Sequence, residues 1–272
     1  MLPVLLKVGP FELSAYGVFL SLAIIACSFV VWRNIRNYGY SDDKIFDHLV
    51  ITVLFGLIGA RIFFALTHPE IYRLSILRIF LIWQFPGLAL WGAVIGVILA
   101  FSLFTATLKI PYLYYFDAYG LSLPLAVMFI SIGVFLDGTI TGKVTGLPLG
   151  FPAVGDIGKH HPVALYSFLL AFIFGGVLFS LRTKFRQKIA VGVVGWLAMS
   201  FLGLTILSLA LVRSDLLYFN GISVDLVLGT ILFIGPWGPL YLKLHTHALI
   251  KKTVQKIYGK FHKLKEDLHE IS

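Results

Sequence analysis

SIGVFLDGTITGKVTGLPLGF, residues 131–151, runs on into PAVGDIGKHHPVALY, residues 152–166. An apolar run ends at Asp137-Gly138. A loop follows with glycines at 138, 142, 146, 150, 155 and 158, and the next apolar run opens on His161-Pro162. Loops this long without structure of their own are usually functional or disordered. Here both ends are fastened to hydrophobic runs, with polar side chains at each fastening. If those runs cross a membrane, Asp137, Lys143 and His161 lie near one face of it. Taken alone, the loop also reads as a surface segment whose glycines only permit turns.

Composition decides what surrounds the loop. Of 272 residues, 58% are apolar and 13% charged, with a mean hydropathy of +0.92. A soluble domain carries about 25% charged residues, so too few remain to clothe a water-facing surface. The apolar runs are continuous, not alternating, which excludes a transmembrane barrel and leaves an all-α integral membrane protein. The 24 Phe and 12 Tyr suit lipid-facing and interfacial positions. The one cysteine, Cys27, makes neither an internal disulfide nor a metal cluster, and it reads as a small buried hydrophobe. No cleavable signal peptide is expected, because Lys7 is the only early cation and no small-residue cleavage site follows it.

Runs near the ~20 residues that cross a bilayer fall at about 13–32, 46–66, 88–108, 113–136, 162–181, 189–212 and 221–242. They predict seven transmembrane helices. Residues 79–87, IFLIWQFPG, are too short to span and read as a re-entrant or interfacial segment feeding the third helix. With the N-terminus outside, the inner segments carry fifteen Lys and Arg residues and the outer ones six. The positive-inside rule therefore puts the 137–161 loop outside and the C-terminus in the cytoplasm.

Residues 1–243 form one transmembrane domain in this reading, and 244–272 a basic tail. Ile250, Val254, Ile257, Phe261, Leu264, Leu268 and Ile271 recur at spacings of four and three, with lysines between them. That is one apolar stripe of an amphipathic helix suited to anionic headgroups. Nucleic acid would account for the lysines but not for the stripe, so no nucleic-acid partner is expected.

Ionisable side chains within spans are costly and face a cavity or a partner. Arg61, Asp117 and Asp225 are such residues, while Asp137 and Arg213 stand at span ends. Each also has a purely structural reading. Arg61 snorkels to headgroups, Asp117 pairs with Lys109, and Asp225 favours the dipole of a first helical turn. Gly56, Gly59 and Ala60, and likewise Gly92, Ala93 and Gly96, let helices approach closely.

Several of these pieces, in order, resemble the bacterial prolipoprotein diacylglyceryl transferases over most of residues 8–240. Tyr16-Gly17 is similar to the family's opening Tyr-Gly, and Gly59-Ala60-Arg61 to its Gly-(Gly/Ala)-Arg. Phe85 through Gly96 resembles its Gly-Gly-Leu-Ser-Phe-His-Gly-Gly run. Asp117-Ala118 falls where the family carries an Asp in the span before its signature. Gly133, Asp137-Gly138, Gly142-Lys143 and Leu147-Pro148 resemble the signature itself, and His161-Pro162 with Leu165-Tyr166 its His-Pro motif. The resemblance implies a multi-pass protein of the bacterial plasma membrane. Its reaction moves a diacylglyceryl group from phosphatidylglycerol to a cysteine thiol of a lipoprotein precursor, with no cofactor or metal. His161 and Asp137 then stand as candidate bases for the thiol proton. Tyr16, Arg61, Lys143, Arg213 and Asp117 stand as candidates for holding the lipid and its phosphate.

The sequence departs from the family at polar positions. The signature arginine falls on Ser131, its asparagines on Val134 and Asp137, and the histidine of the Phe-His-Gly-Gly run on Trp91. The Gln and Glu of the His-Pro motif fall on Ala164 and Ser167. In the family's Arg-X-X-X-Glu-X-X-Arg pattern only Arg213 remains, with Ile206 and Ala210 at the other two positions. Two readings stay open: a transferase with a rewired site, and a catalytically inactive relative that binds phospholipid or assists assembly. The replacements predict that transfer fails where a member with the arginines and histidine succeeds. A small-solute transporter is disfavoured, since the halves show no internal symmetry.

Overall fold

The computed structural model describes residues 3–8, 11–72, 76–81, 87–108, 112–138, 140, 142–152, 158–184, 189–216, 218–219, 221–243 and 245. The tail expected at 244–272 lies outside them except for residue 245. So do residues 82–86 of the expected re-entrant segment, and Lys109, the expected partner of Asp117.

The chain is a helical bundle. It comprises α1 (Ala15–Arg36), α2 (Asp42–Thr67), a single turn α3 (Pro69–Tyr72), α4 (Leu90–Leu108), α5 (Tyr112–Asp137), α6 (Val163–Lys184), α7 (Val193–Ala210) and α8 (Val224–Ile234). Helix α8 continues past a turn at Gly235-Pro236 to Lys243. Among the described residues, six helices are long and apolar enough to cross a membrane: α1, α2, α5, α6, α7 and Val224–Lys243. The remaining expected span, 88–108, coincides with α4, whose described apolar stretch, Leu90–Phe104, is shorter. This is a multi-pass membrane protein, and lipid explains why helices carry it: inside hydrocarbon, backbone N–H and C=O groups need partners within their own segment.

Helix α5 is central. It packs against α1, α6 and α7, while α7 packs on α8 and α2 on α4. Two glycine contacts set the spacing. A Cβ on Gly59 would overlap the Gly92 carbonyl, and one on Gly96 the Phe55 carbonyl. The α2–α4 pair therefore meets backbone to backbone at the small residues expected to permit it. Gly133 does the same between α5 and α1, where a Cβ would stand 3.2 Å from Tyr16 Cα.

The helices alternate, so the bundle has two ends. At one end gather the N-terminus of α1, the α2–α4 connection, the α5–α6 loop and the α7–α8 connection; this is the loop end. At the other, Val31, Ile35, Ile45, Leu49, Tyr115 and Ala118 form a core joining α1, α2 and α5. Three short hairpins were not anticipated from sequence. The first pairs β1 (Val4–Val8) with β2 (Phe11–Ser14), the second β3 (Phe151–Pro152) with β4 (Lys159–His160), and the third β5 (Tyr218–Phe219) with β6 (Ile222–Ser223). All three lie at the loop end.

Candidate functional site

The loop end is built outward from the last turn of α5. Gly138 takes φ 73°, a left-handed conformation that glycine adopts without strain, and its N–H bonds the Val134 carbonyl at 2.9 Å. That ends the helix on Asp137. A carboxylate at a helix C-terminus opposes the dipole, so stability does not explain its placement. The Asp137 carboxylate lies within electrostatic range of the Tyr16 hydroxyl. Ser14 caps α1 by accepting the Gly17 N–H at 3.1 Å, which sets Tyr16 in the first turn.

Beyond Gly138 the chain pairs in short antiparallel steps. Gly142 bridges to Arg213, and the Lys143 N–H bonds the Val212 carbonyl at 2.7 Å. The His161 N–H bonds the Lys143 carbonyl at 3.1 Å, and the Thr145 N–H bonds the Lys159 carbonyl at 2.7 Å. On its other side Lys159–His160 pairs with Phe151–Pro152. Glycine is required at 142, because a Cβ there would overlap the His161 backbone. Beneath these pairings sits a cavity of about 30 Å³. It is lined by Val134, Phe135, Gly138, Ile140, Gly142, Phe151, Pro152, His160, His161, Pro162, Val163 and Ala164. The walls are apolar apart from the two imidazoles. Nδ1 of His161 lies 3.3 Å from the Tyr166 hydroxyl, and Nδ1 of His160 lies 2.8 Å from the Gly142 carbonyl.

Three cations expected to hold phosphate are engaged within the chain. The Lys143 ammonium donates to the Leu211 carbonyl at 2.9 Å, which places a positive charge at the C-terminus of α7. Arg213 makes a side-on pair with Asp215, Nε to Oδ1 and Nη2 to Oδ2 both at 3.1 Å. Arg61 is 4% exposed and does not snorkel. Its Nε donates to the Ile79 carbonyl at 2.8 Å; Nη1 and Nη2 donate to the Gly87 and Arg78 carbonyls, both at 3.0 Å. Its guanidinium also lies over the Tyr72 ring, 5.5 Å from the centroid. Arg61 thus ties down the α2–α4 connection.

Asp117 stands apart. Its carboxylate accepts the Gly192 N–H at 2.7 Å and the Gly195 N–H at 2.9 Å, capping the start of α7. Twenty residues of α5 separate it from Asp137, about 30 Å along the helix axis. The structure therefore brings His161, Asp137, Tyr16, Lys143 and Arg213 to one end, puts Arg61 at that end on other partners, and leaves Asp117 at the opposite end.

Sequence reasoning missed one contact. The indole N–H of Trp91 donates to Asp225 Oδ1 at 3.1 Å, both residues being buried. This bond links the first turns of α4 and α8 across 134 residues. Asp225 does sit in a first turn, as its dipole reading expected. Among the other replaced positions, Val134 and Ala164 line the cavity, Ile206 lies against Gly229, and the Ser167 hydroxyl donates to the Val163 carbonyl at 3.0 Å.

The family model described as prolipoprotein diacylglyceryl transferase matches residues 3–240. The chain belongs to that family. Its relatives named phosphatidylglycerol–prolipoprotein diacylglyceryl transferase include one from Wolbachia of Drosophila simulans, 29% identical over 85% of this chain and 89% of the relative. A second, from Geobacter sulfurreducens, is 31% identical over 74% and 78%. A third, from Thermus thermophilus, is 34% identical over 54% and 53%. The prolipoprotein diacylglyceryl transferase family thus accounts for all the described helices but the last turn of the Val224–Lys243 span.

Proposed function

We propose that this protein transfers the diacylglyceryl group of phosphatidylglycerol to the cysteine thiol of a lipoprotein precursor, at the loop end and on the outer face of a bacterial plasma membrane. The family match from residue 3 to 240 is the observation that carries this reading. The chemistry assigns roles to the residues gathered there. The thiol proton passes to His161 or to the Asp137 carboxylate, since the thiolate is the nucleophile. The sulfur attacks the diacylglyceryl carbon bearing the phosphate ester, that C–O bond breaks, and glycerol phosphate leaves with its charge held by cations. Lys143 would exchange the Leu211 carbonyl for phosphate, and Arg213 would share its fork between phosphate and Asp215. Arg61 supports the site by fixing the α2–α4 connection, and Tyr16 stands at the same end as Asp137. No cofactor enters the scheme.

The test incubates purified protein with phosphatidylglycerol and a lipobox peptide, reading the thioether-linked product by mass spectrometry. Each absent preorganised donor costs about 10²–10³ in rate. Product is therefore expected at stoichiometric enzyme but not at the catalytic amounts that suffice for a relative with the arginines intact. His161→Ala should abolish it. No product even at stoichiometric enzyme overturns the reading.

A second reading rests on the engagement of Lys143, Arg61 and Arg213 by internal partners. A non-catalytic relative would retain phosphatidylglycerol through purification and yet form no thioether.

A further inference from the structure

A groove of about 370 Å³ runs along one face of α6, lined by Ile173, Gly176, Val177, Ser180, Leu181 and Lys184. These positions step by three and four, so they form a single stripe. It begins at the middle of α6 and ends on its last residue. From Ile173 to Lys184 the helix rises about 16 Å, roughly half of the ~30 Å hydrocarbon thickness. That is the depth of one leaflet and the reach of one acyl chain.

Two adjacent glycines shape the groove differently. A Cβ on Gly175 would stand 3.2 Å from Pro124 Cβ, so the close approach of α5 explains that glycine. Gly176, one step round the helix, has nothing within 4 Å of where its Cβ would be. Glycine weakens a helix interior, and no neighbouring helix accounts for it here. Its effect is to deepen the stripe midway between Ile173 and Ser180.

Charge decides what fits. No Asp or Glu occurs between Asp156 and Asp215. Lys184 closes the groove, and Arg182 stands beside it, bonded to the Tyr38 hydroxyl from above its ring. Arg186 and Lys188 follow in sequence. The charged side chains that α6 itself brings to this end, Arg182 and Lys184, are both cationic.

We propose that this groove binds a phospholipid with an anionic headgroup from the leaflet in which α6 ends, one acyl chain lying over Gly176 and the phosphate on Lys184. The site is separate from the loop-end cavity, whose α6 residues Val163 and Ala164 lie about 14 Å along the helix from Ile173 and about 30 Å from Lys184. A zwitterionic headgroup would bring its own cation towards Lys184. A second copy docked by this face about a two-fold axis along the membrane normal would set like charges together.

The test reconstitutes the full chain in phosphatidylcholine nanodiscs holding a trace of phosphatidylglycerol with a diazirine midway along one acyl chain. After irradiation, adducts are located by mass spectrometry. They should concentrate on residues 173–181 and be suppressed by unlabelled phosphatidylglycerol but not by further phosphatidylcholine. Lys184→Gln, a change at an exposed residue, should lower them about fivefold, the effect of one well-placed cation. Gly176→Leu should move them off this stretch. Adducts spread over all lipid-facing helices, or indifferent to Lys184→Gln, would mean an unselective lipid annulus and overturn the proposal. Equal suppression by phosphatidylcholine would do the same, as would a chain-to-chain crosslink through α6 in place of lipid adducts.

Discussion

At Gly142 the backbone of the loop presses on the backbone of His161, and nothing larger than a hydrogen fits between them. Gly142→Val should therefore part the 142–145 segment from 159–161 and displace the imidazole with it. Overpacking of this kind costs about 1–3 kcal/mol. The expected outcome is a lower thermal midpoint with faster hydrogen exchange at the Thr145 and His161 amides, which bond across that seam. Arg61 makes a second case. Its three carbonyl partners lose their donors in Arg61→Met, at about 1–3 kcal/mol for each group left buried and unpaired. Arg61→Lys restores charge without the planar fork, so it should recover only part of the loss. Limited proteolysis of the α2–α4 connection is the readout, and unchanged nicking in Arg61→Met would show that the guanidinium does not hold it. The sequence flagged Arg61 as an expensive residue within a span. It did not reveal its partners, because carbonyls of a connecting segment carry no side-chain signature. The Trp91–Asp225 bond was illegible for a related reason: each residue reads as ordinary alone, and only the fold brings them together.

Among elements, helices were legible and hairpins were not. Hydropathy locates each apolar run because hydrocarbon leaves the backbone one solution, and the expected spans 46–66 and 113–136 fall within α2 and α5. A pairing of two residues, such as Phe151–Pro152 with Lys159–His160, has no period to read. Glycine spacing was legible, and it carries a prediction. Gly59→Leu would drive a side chain into the Gly92 carbonyl, separating α2 from α4. The expected result is loss of the folded monodisperse species in detergent, whereas Gly176→Ala, facing open space, should leave the thermal midpoint unchanged or raised. Asp117 was read as a site candidate because a carboxylate within a span demands a partner. The partner proved to be the N-terminus of α7, reached from another helix. Asp117→Ala should therefore cost about 0.5–2 kcal/mol, the range for a lost N-cap, with Asp117→Asn keeping most of it. Lipid transfer by Asp117→Asn that falls far more than stability does would return this residue to the site.

For the molecule as a whole, sidedness follows from charge. The loop end carries the cavity, His161 and Asp137, and the opposite end carries Arg182, Lys184 and the root of the basic tail at Lys243. Lys243 donates to the Val191 carbonyl beside the α7 N-terminus that Asp117 caps, which ties the end of the Val224–Lys243 span to α7. Fifteen cations against six predict that end to be cytoplasmic. In a Cys27→Ala background, Gly146→Cys on the α5–α6 loop should react in intact cells with an impermeant maleimide. Thr183→Cys, exposed at the last turn of α6, should react only after permeabilisation. The reverse pattern would put the cavity in the cytoplasm, where no exported precursor thiol waits, and would remove the proposed reaction with the topology. With the expected pattern, the six lysines of residues 244–272 face an anionic leaflet. Each contributes about 1 kcal/mol near such a surface, enough for a stripe of seven apolar residues to lie down as a helix. A synthetic 244–272 peptide should then gain helical circular dichroism on vesicles containing phosphatidylglycerol and little on phosphatidylcholine alone, the difference fading as salt screens the lysines. Equal helicity on both, or on neither, would leave the lysines to the positive-inside rule alone and detach the tail from lipid binding.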